Sequence, residues 1–292
     1  MKPIIKYLAA AAALLAVASC GKFSGTPREI TIQAGIGAMT KVATTGDKAA
    51  FEAGDKIAVF AWTGDKTAVP AARAVDGVAN TLGTDGKWTP AAQMLWDDDE
   101  SAHYFLGVYP VHSVTSFTAD PYTVDPADQK TSDLLLATNL TGLTPSSTPV
   151  ALAFSHTMAR LDVNLTFRNQ WETTPTVSAV TATAKKTATV DLLTAAVTAT
   201  GDAAKVALAK KDNAAWSGLQ VPQTGLRTLT ITIDGQDYVY THSADIPLKG
   251  GQYTTVNLTV GRDQISLSSE ITIDDWTSGG DPVGGDIFEP AS

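Results

Sequence analysis

Four histidines, one cysteine, six tryptophans and the run Asp97-Asp98-Asp99-Glu100 are the side chains of this 292-residue chain with the most obvious chemical potential. A zinc site needs three or four converging His, Cys or acidic ligands. His103, His112, His156 and His242 lie on separate segments without ligand spacing, and no second cysteine exists to join them. The acidic run has the hard oxygen ligands that calcium takes, but it lacks the central glycine and terminal glutamate of an EF-hand loop. A solvated loop before the apolar segment 103–109 is the reading it favours. No GxSxG elbow, HExxH helix, GxxxxGK phosphate loop or strand-linked GxGxxG occurs. Paired carboxylates of the glycosidase type find no support in the spacing of the acids. The residue types therefore predict a protein that is not an enzyme and that uses no metal or cofactor. Net charge is −9, so the surface repels phosphate backbones and excludes nucleic acid as a partner. With 44% hydrophobic and 17% charged residues the chain can bury a core, which argues against disorder.

The cysteine carries the clearest chemical signal. Lys2 and Lys6 precede an unbroken Ala- and Leu-rich run over residues 7–17, a basic and then apolar segment too short to span a bilayer. It ends in Val17-Ala18-Ser19-Cys20-Gly21, which resembles the bacterial lipobox. That resemblance implies diacylglycerol on the Cys20 sulfur, cleavage before it and acylation of the new amine. Residues 1–19 then form a lipoprotein signal peptide. At roughly 0.8 kcal/mol per buried methylene, two or more acyl chains hold a protein stably on a membrane.

The elements that would position any site read as strands. Residues 56–62 (KIAVFAW) alternate with Ile57 and Val59 on one face and Phe60 and Trp62 on the other. Residues 160–167 point Leu161, Val163, Leu165 and Phe167 inward, and residues 228–233 do the same with Leu229, Ile231 and Ile233. Asp234-Gly235 is a hairpin signal leading into Tyr238 and Tyr240. Residues 253–260 and 269–273 repeat the pattern. Residues 202–216 have helical propensity but read as a strand plus a turn. An all-β chain of two tandem sandwich domains is expected. The Pro- and Ser-rich stretch 141–149 (TGLTPSSTP) marks the boundary between residues 20–147 and 148–276. The Gly- and Asp-rich residues 277–292 form a C-terminal tail.

Several segments together resemble the fimbrillin family of Bacteroidia type V pilus subunits. Residues 51–57 (FEAGDKI) are similar to its F-x-x-G-D-x-I pattern, and residues 104–110 (YFLGVYP) to its aromatic Y-P strand. Residues 133–137 (DLLLA) followed by 150–165 (VALAFSHTMARLDVNL) resemble its F-x-H-x-x-A-x-L hallmark. Residues 248–260 and the ending 271–276 (ITIDDW) complete the set. The resemblance implies two transthyretin-like β-sandwiches and an assembly route. Such lipoproteins reach the cell outer membrane, where a trypsin-like processing protease cuts after the first strand. A C-terminal segment of another subunit then replaces the lost strand in a surface fimbrium that contributes to adhesion. The first strand here would be residues 29–34, with Ile30 and Ile32 inward. Lys41 is the scissile residue implied, with Arg28 as runner-up. Ile271, Ile273, Trp276, Val283, Ile287 and Phe288 are the donor residues. The partners implied are other pilus subunits head to tail, the protease, the outer membrane through Cys20, and a host or bacterial surface ligand.

A different function class remains open on the residues alone, a surface glycan-binding lipoprotein made of β-sandwich modules. It would present Trp88, Trp96 and Trp171 as one coplanar exposed cluster, because exposed aromatic faces stack on sugars. Trp62, Trp88, Trp171 and Trp216 sit within or beside expected strand segments, where packing is the favoured role.

Overall fold

The computed structural model describes residues 26–37, 50–126, 128 and 132–276. Twenty strands are defined among the described residues. The first half of the chain supplies β1 (Ile32–Ile36), β2 (Lys56–Thr63), β3 (Val75–Leu82), β4 (Trp88–Pro90), β5 (His103–Tyr109), β6 (Asp120–Thr123), β7 (Leu135–Leu143) and β8 (Val150–His156). There follow β9 (Ala159–Phe167), β10 (Val177–Ala184), β11 (Thr187–Asp191), β12 (Ala196–Thr200), β13 (Ala204–Ala207) and β14 (Ala209–Lys210). The last six are β15 (Ala215–Gln220), β16 (Thr228–Ile233), β17 (Gln236–Thr241), β18 (Gln252–Val260), β19 (Ile265–Leu267) and β20 (Thr272–Asp275). The fold is all-β.

Alternation explains the strands. In β9, Leu161, Val163 and Leu165 are buried while Asn164 and Thr166 are exposed. β16 and β17 form the hairpin signalled by Asp234-Gly235, whose φ angles of 51° and 79° are those of a type I′ turn. β2 is different: Ile57 through Trp62 are all buried, as in a strand covered on both faces.

Four sheets surround three cores. A seven-stranded sheet has the order β1-β8-β7-β5-β2-β3-β4. Its inner face buries Ile57, Val59, Phe105, Leu152 and Phe154 with Ile30, Ile32 and Ile36. A second sandwich packs the four-stranded sheet β13-β10-β16-β17 against the sheet β14-β15-β9-β18-β19, with β20 also paired to β18. The third core joins the two halves. Phe60, Trp62, Leu106 and Leu136 from the seven-stranded sheet meet Ala188, Val190, Leu219 and Val221 from the second half. A three-stranded sheet β12-β11-β6 spans the same seam, since β6 precedes the expected boundary and β11 follows it.

Residues 141–149, the expected boundary, cover the last three residues of β7 and the connection to β8, and both strands belong to the seven-stranded sheet. The chain passes to the second sandwich after His156, because β9 pairs with β15 and β18. The local reason is that Val150, Leu152 and Phe154 alternate with exposed residues and fill the first core from their buried face. The segment expected as a strand at 269–273 begins after β19 and runs into β20, which takes up its residues 272 and 273.

Gly107 shows how tightly the first core is filled. A Cβ there would stand 2.5 Å from Cζ of Phe154, a ring with no exposure. Gly107→Ala is therefore expected to cost about 1–3 kcal/mol through overpacking. Denaturant titration should show it, and Phe154→Leu in the same chain should recover part of the loss.

Candidate functional site

The N-terminal edge is the first place where the fold leaves something replaceable. Among the described residues β1 pairs with one strand, running parallel to β8 with Ile32 opposite Val150 and Ile36 opposite Phe154. The expected first strand at 29–34 is shifted to Ile32–Ile36, preceded by an isolated bridge between Glu29 and Leu95. Ile30, Ile32 and Ile36 are all buried in the first core. At about 1.5–3 kcal/mol for each buried side chain, these three hold the strand with roughly 5–9 kcal/mol of apolar burial. On the side of β1 away from β8, Trp88 Nε1 donates to the Ala34 carbonyl at 3.2 Å. Arg28 is exposed and its guanidinium donates to the Pro145 carbonyl at 3.1 Å. Cys20 and Lys41 lie outside the described residues.

Phe51 marks where the chain rejoins the core. Its ring sits edge-on to Trp88, Tyr109 and Phe154 at centroid distances of 5.2, 5.5 and 5.2 Å. The motif's aspartate caps the following turn: the Asp55 carboxylate accepts from the Glu52 N–H at 2.6 Å. Phe51 is thus an aromatic anchor that belongs to the first core and not to β1.

The C-terminal edge is the second place. β20 pairs antiparallel with β18 through four residue pairs, Gln252–Asp275 to Thr255–Thr272. Ile271 and Ile273, expected as donor residues, are half-buried there, and Ile273 lies opposite Thr254. Trp276 lies flat on the His156 ring, 3.9 Å between centroids and 7° between planes. His156 Nδ1 is 2.8 Å from Asp133 Oδ2, with both side chains nearly fully buried. His156 thus bonds a carboxylate rather than backbone. The Arg160 guanidinium stands over Tyr253 at 4.8 Å and Trp276 at 5.6 Å, and it donates to Asp162 at 2.8 Å. These three residues, expected as donors, are seated in their own chain. Val283, Ile287 and Phe288 lie outside the described residues.

The other chemistry-bearing residues do not converge. Among the described residues no group of three or more His, Cys, Asp or Glu could hold a metal ion. The acidic run is more ordered than a solvated loop: Asp98 is buried, and its carboxylate accepts from the N–H groups of Glu100 and Ser101 and from the Ser101 hydroxyl. His103 accepts from the Asp97 N–H through Nε2 and donates through Nδ1 to the Ser101 carbonyl, which defines a neutral ring. Burial, reinforced by neighbouring carboxylates, pushes the Tyr109 phenol far above its ordinary value, and the same holds for Tyr122. Both phenols stay protonated near neutral pH. The proposed sugar platform is not assembled: Trp96 is buried in the first core and Trp88 packs on Phe51. Trp171 belongs to the second sandwich, with Tyr238 at 6.0 Å and the Arg262 guanidinium 5.1 Å over its ring.

Sequence reasoning quoted Asp133, Arg160, Tyr253 and Gly251 only as parts of motifs. That Gly251 and Arg160 meet Trp276 directly, Asp133 through His156 and Tyr253 through Arg160, needed coordinates, although the motifs at 150–165 and 271–276 held two of the partners.

Comparison with known proteins matches this architecture. The model of the fimbrillin-like family matches residues 40–276, a span that starts after β1 and stops at Trp276. Among solved structures, a candidate cell adhesion protein from Bacteroides uniformis is 21% identical with a TM-score of 0.65, covering 85% of this chain and 98% of its own. Another from Bacteroides ovatus is 17% identical with a TM-score of 0.68, covering 86% and 99%. A fimbrial protein from Bacteroides vulgatus is 14% identical with a TM-score of 0.52, covering 86% and 100%. A comparison with curated protein sequences returned no match.

Proposed function

Because the chain belongs to the fimbrillin-like family of structural, non-enzymatic proteins, we propose that it is a pilus subunit assembled by donor-strand exchange. The observation that carries this reading is β1. It is an edge strand with two buried isoleucines, preceded by a third at Ile30, and it is separated from the Phe51 anchor by a segment that contains Lys41. Cutting after Lys41 severs β1 from the body while the aromatic cluster that closes the core stays attached. Cutting after Arg28 leaves the strand in place, so Arg28 is the weaker site. Loss of β1 bares the N–H and C=O groups of β8 beside an apolar groove, an edge that seeks a replacement strand.

The donor is the C-terminal region. In an extended tail Val283 and Ile287 fall on one face four residues apart, the spacing of Ile32 and Ile36 in β1. Phe288 falls on the other face. Ile271, Ile273 and Trp276 form the root of the donor on its own subunit. Such a contact is heterologous and need not close, so its product is a filament. Export as a lipoprotein through Cys20 would bring the subunit to the outer membrane before processing, and adhesion would be a property of the assembled fimbrium.

The reading is tested by treating the mature chain with a trypsin-like protease and following N-terminal mass and size. The expected result is a new terminus at Val42 and growth of a ladder of polymers. Lys41→Ala should stay monomeric, and deletion of residues 281–292 should allow cleavage but no polymer. Polymer growth from the truncated chain would remove the tail as donor.

A further inference from the structure

Trp276 ends the root of the proposed donor, and the structure ties it to the acceptor side of the molecule through one file of contacts. The Trp276 N–H donates to the Gly251 carbonyl at 2.7 Å, and the Gly251 N–H donates to the Met158 carbonyl at 2.9 Å. One residue earlier, the Thr157 N–H and hydroxyl both donate to the Leu134 carbonyl, at 3.0 and 2.5 Å. Residues 157–158 are the whole connection between β8 and β9. Two glycines let the strands approach. A Cβ at Gly250 would lie 2.7 Å from the Thr157 carbonyl oxygen, and Gly251 has a φ of 68° with the His156 oxygen 3.1 Å from where its Cβ would be. The side chains close the file from the other face, with Trp276 flat on His156 and His156 held by Asp133.

We propose that this seam is a tension-bearing clasp, which couples the root of the tail to β8, the strand that lines the proposed acceptor groove. The inference rests on the reading of the tail as donor, because only then does load arrive at residue 277. β20 is held by four residue pairs, and its tail leaves from the end where peeling would begin. Hydrogen bonds pulled from one end break singly, whereas a stacked ring and a backbone bond at that end make them fail together. Tension then passes from Trp276 through Gly251 to the β8–β9 connection, and neither sandwich has to open. Arg160 adds a second restraint over the same indole, from β9. Trp276 is on this view a positioning residue for assembly, and the family match ends on it.

The test is to pull the uncleaved mature chain from its two ends in optical tweezers. Release of β1 is common to all variants and serves as the internal reference. The wild type is expected to hold β20 until the second sandwich unfolds. Trp276→Ala should add an early step at less than half that force, as residues 268–276 come away from β18. His156→Ala should show the same step, and Trp276→Phe, which keeps a flat ring on the imidazole, should abolish it. Early steps missing from both alanine variants overturn the clasp. If the early step appears but protease-treated chains form no filament, the clasp stands and the donor reading fails.

Discussion

Ile32→Asp is expected to release β1 without any proteolysis. Ile32 is 7% exposed, stands opposite Val150 in the parallel pair and packs into the first core. Truncating a buried isoleucine costs about 2–5 kcal/mol, and leaving a carboxyl without partners in an apolar site adds several more. The sum is of the order of the burial that holds the strand, so an edge strand with one neighbour should leave while the body stays folded. On the donor-strand reading, size-exclusion chromatography should show the uncleaved variant forming oligomers. The same variant lacking residues 281–292 should stay monomeric and bind a hydrophobic dye. Gln33→Asp, on the exposed face of β1, is the control and should behave as wild type. A monomeric Ile32→Asp chain with an unchanged melting temperature would mean that the groove does not depend on β1.

Trp62→Ala should have the largest effect on stability of any single change in the third core. The side chain has no exposure, and its Nε1 donates to the Asp65 carbonyl at 2.9 Å. Phe or Trp to Ala changes in cores cost about 3–5 kcal/mol. Here the cavity opens between the seven-stranded sheet and the strands β11 and β15, so the loss falls on the contact between the two halves. Calorimetry is expected to show one transition for the wild type and two for Trp62→Ala, with the half that keeps its own core melting later. A single, uniformly lowered transition would show that β6–β11 pairing alone couples the halves.

Much of the architecture was legible along the chain. Period-two alternation marked β2, β9, β16 and β18 to within a residue or two, and Asp234-Gly235 marked the hairpin between β16 and β17. Ile57 and Val59 against Phe60 and Trp62 even announced a strand with two apolar faces, which proved to serve two different cores. The family motifs were read correctly as a set. The boundary was harder, because Pro and Ser at 141–149 mark a break in the chain equally well whether it joins two domains or two strands of one sheet.

By itself, then, the sequence determined an all-β chain, the apolar face of each main strand, and membership of the fimbrillin-like family. The tertiary structure alone decided that β1 lies parallel to a strand more than a hundred residues later. It also decided that β6 and β11 cross the seam, and that Trp276 comes to rest on His156. The reason is physical. Periodicity reports which side of a strand avoids water, a local property of neighbouring residues. What covers that side is chosen by pairing across long loops, whose closure entropy grows only slowly with length and so leaves little trace in the intervening sequence.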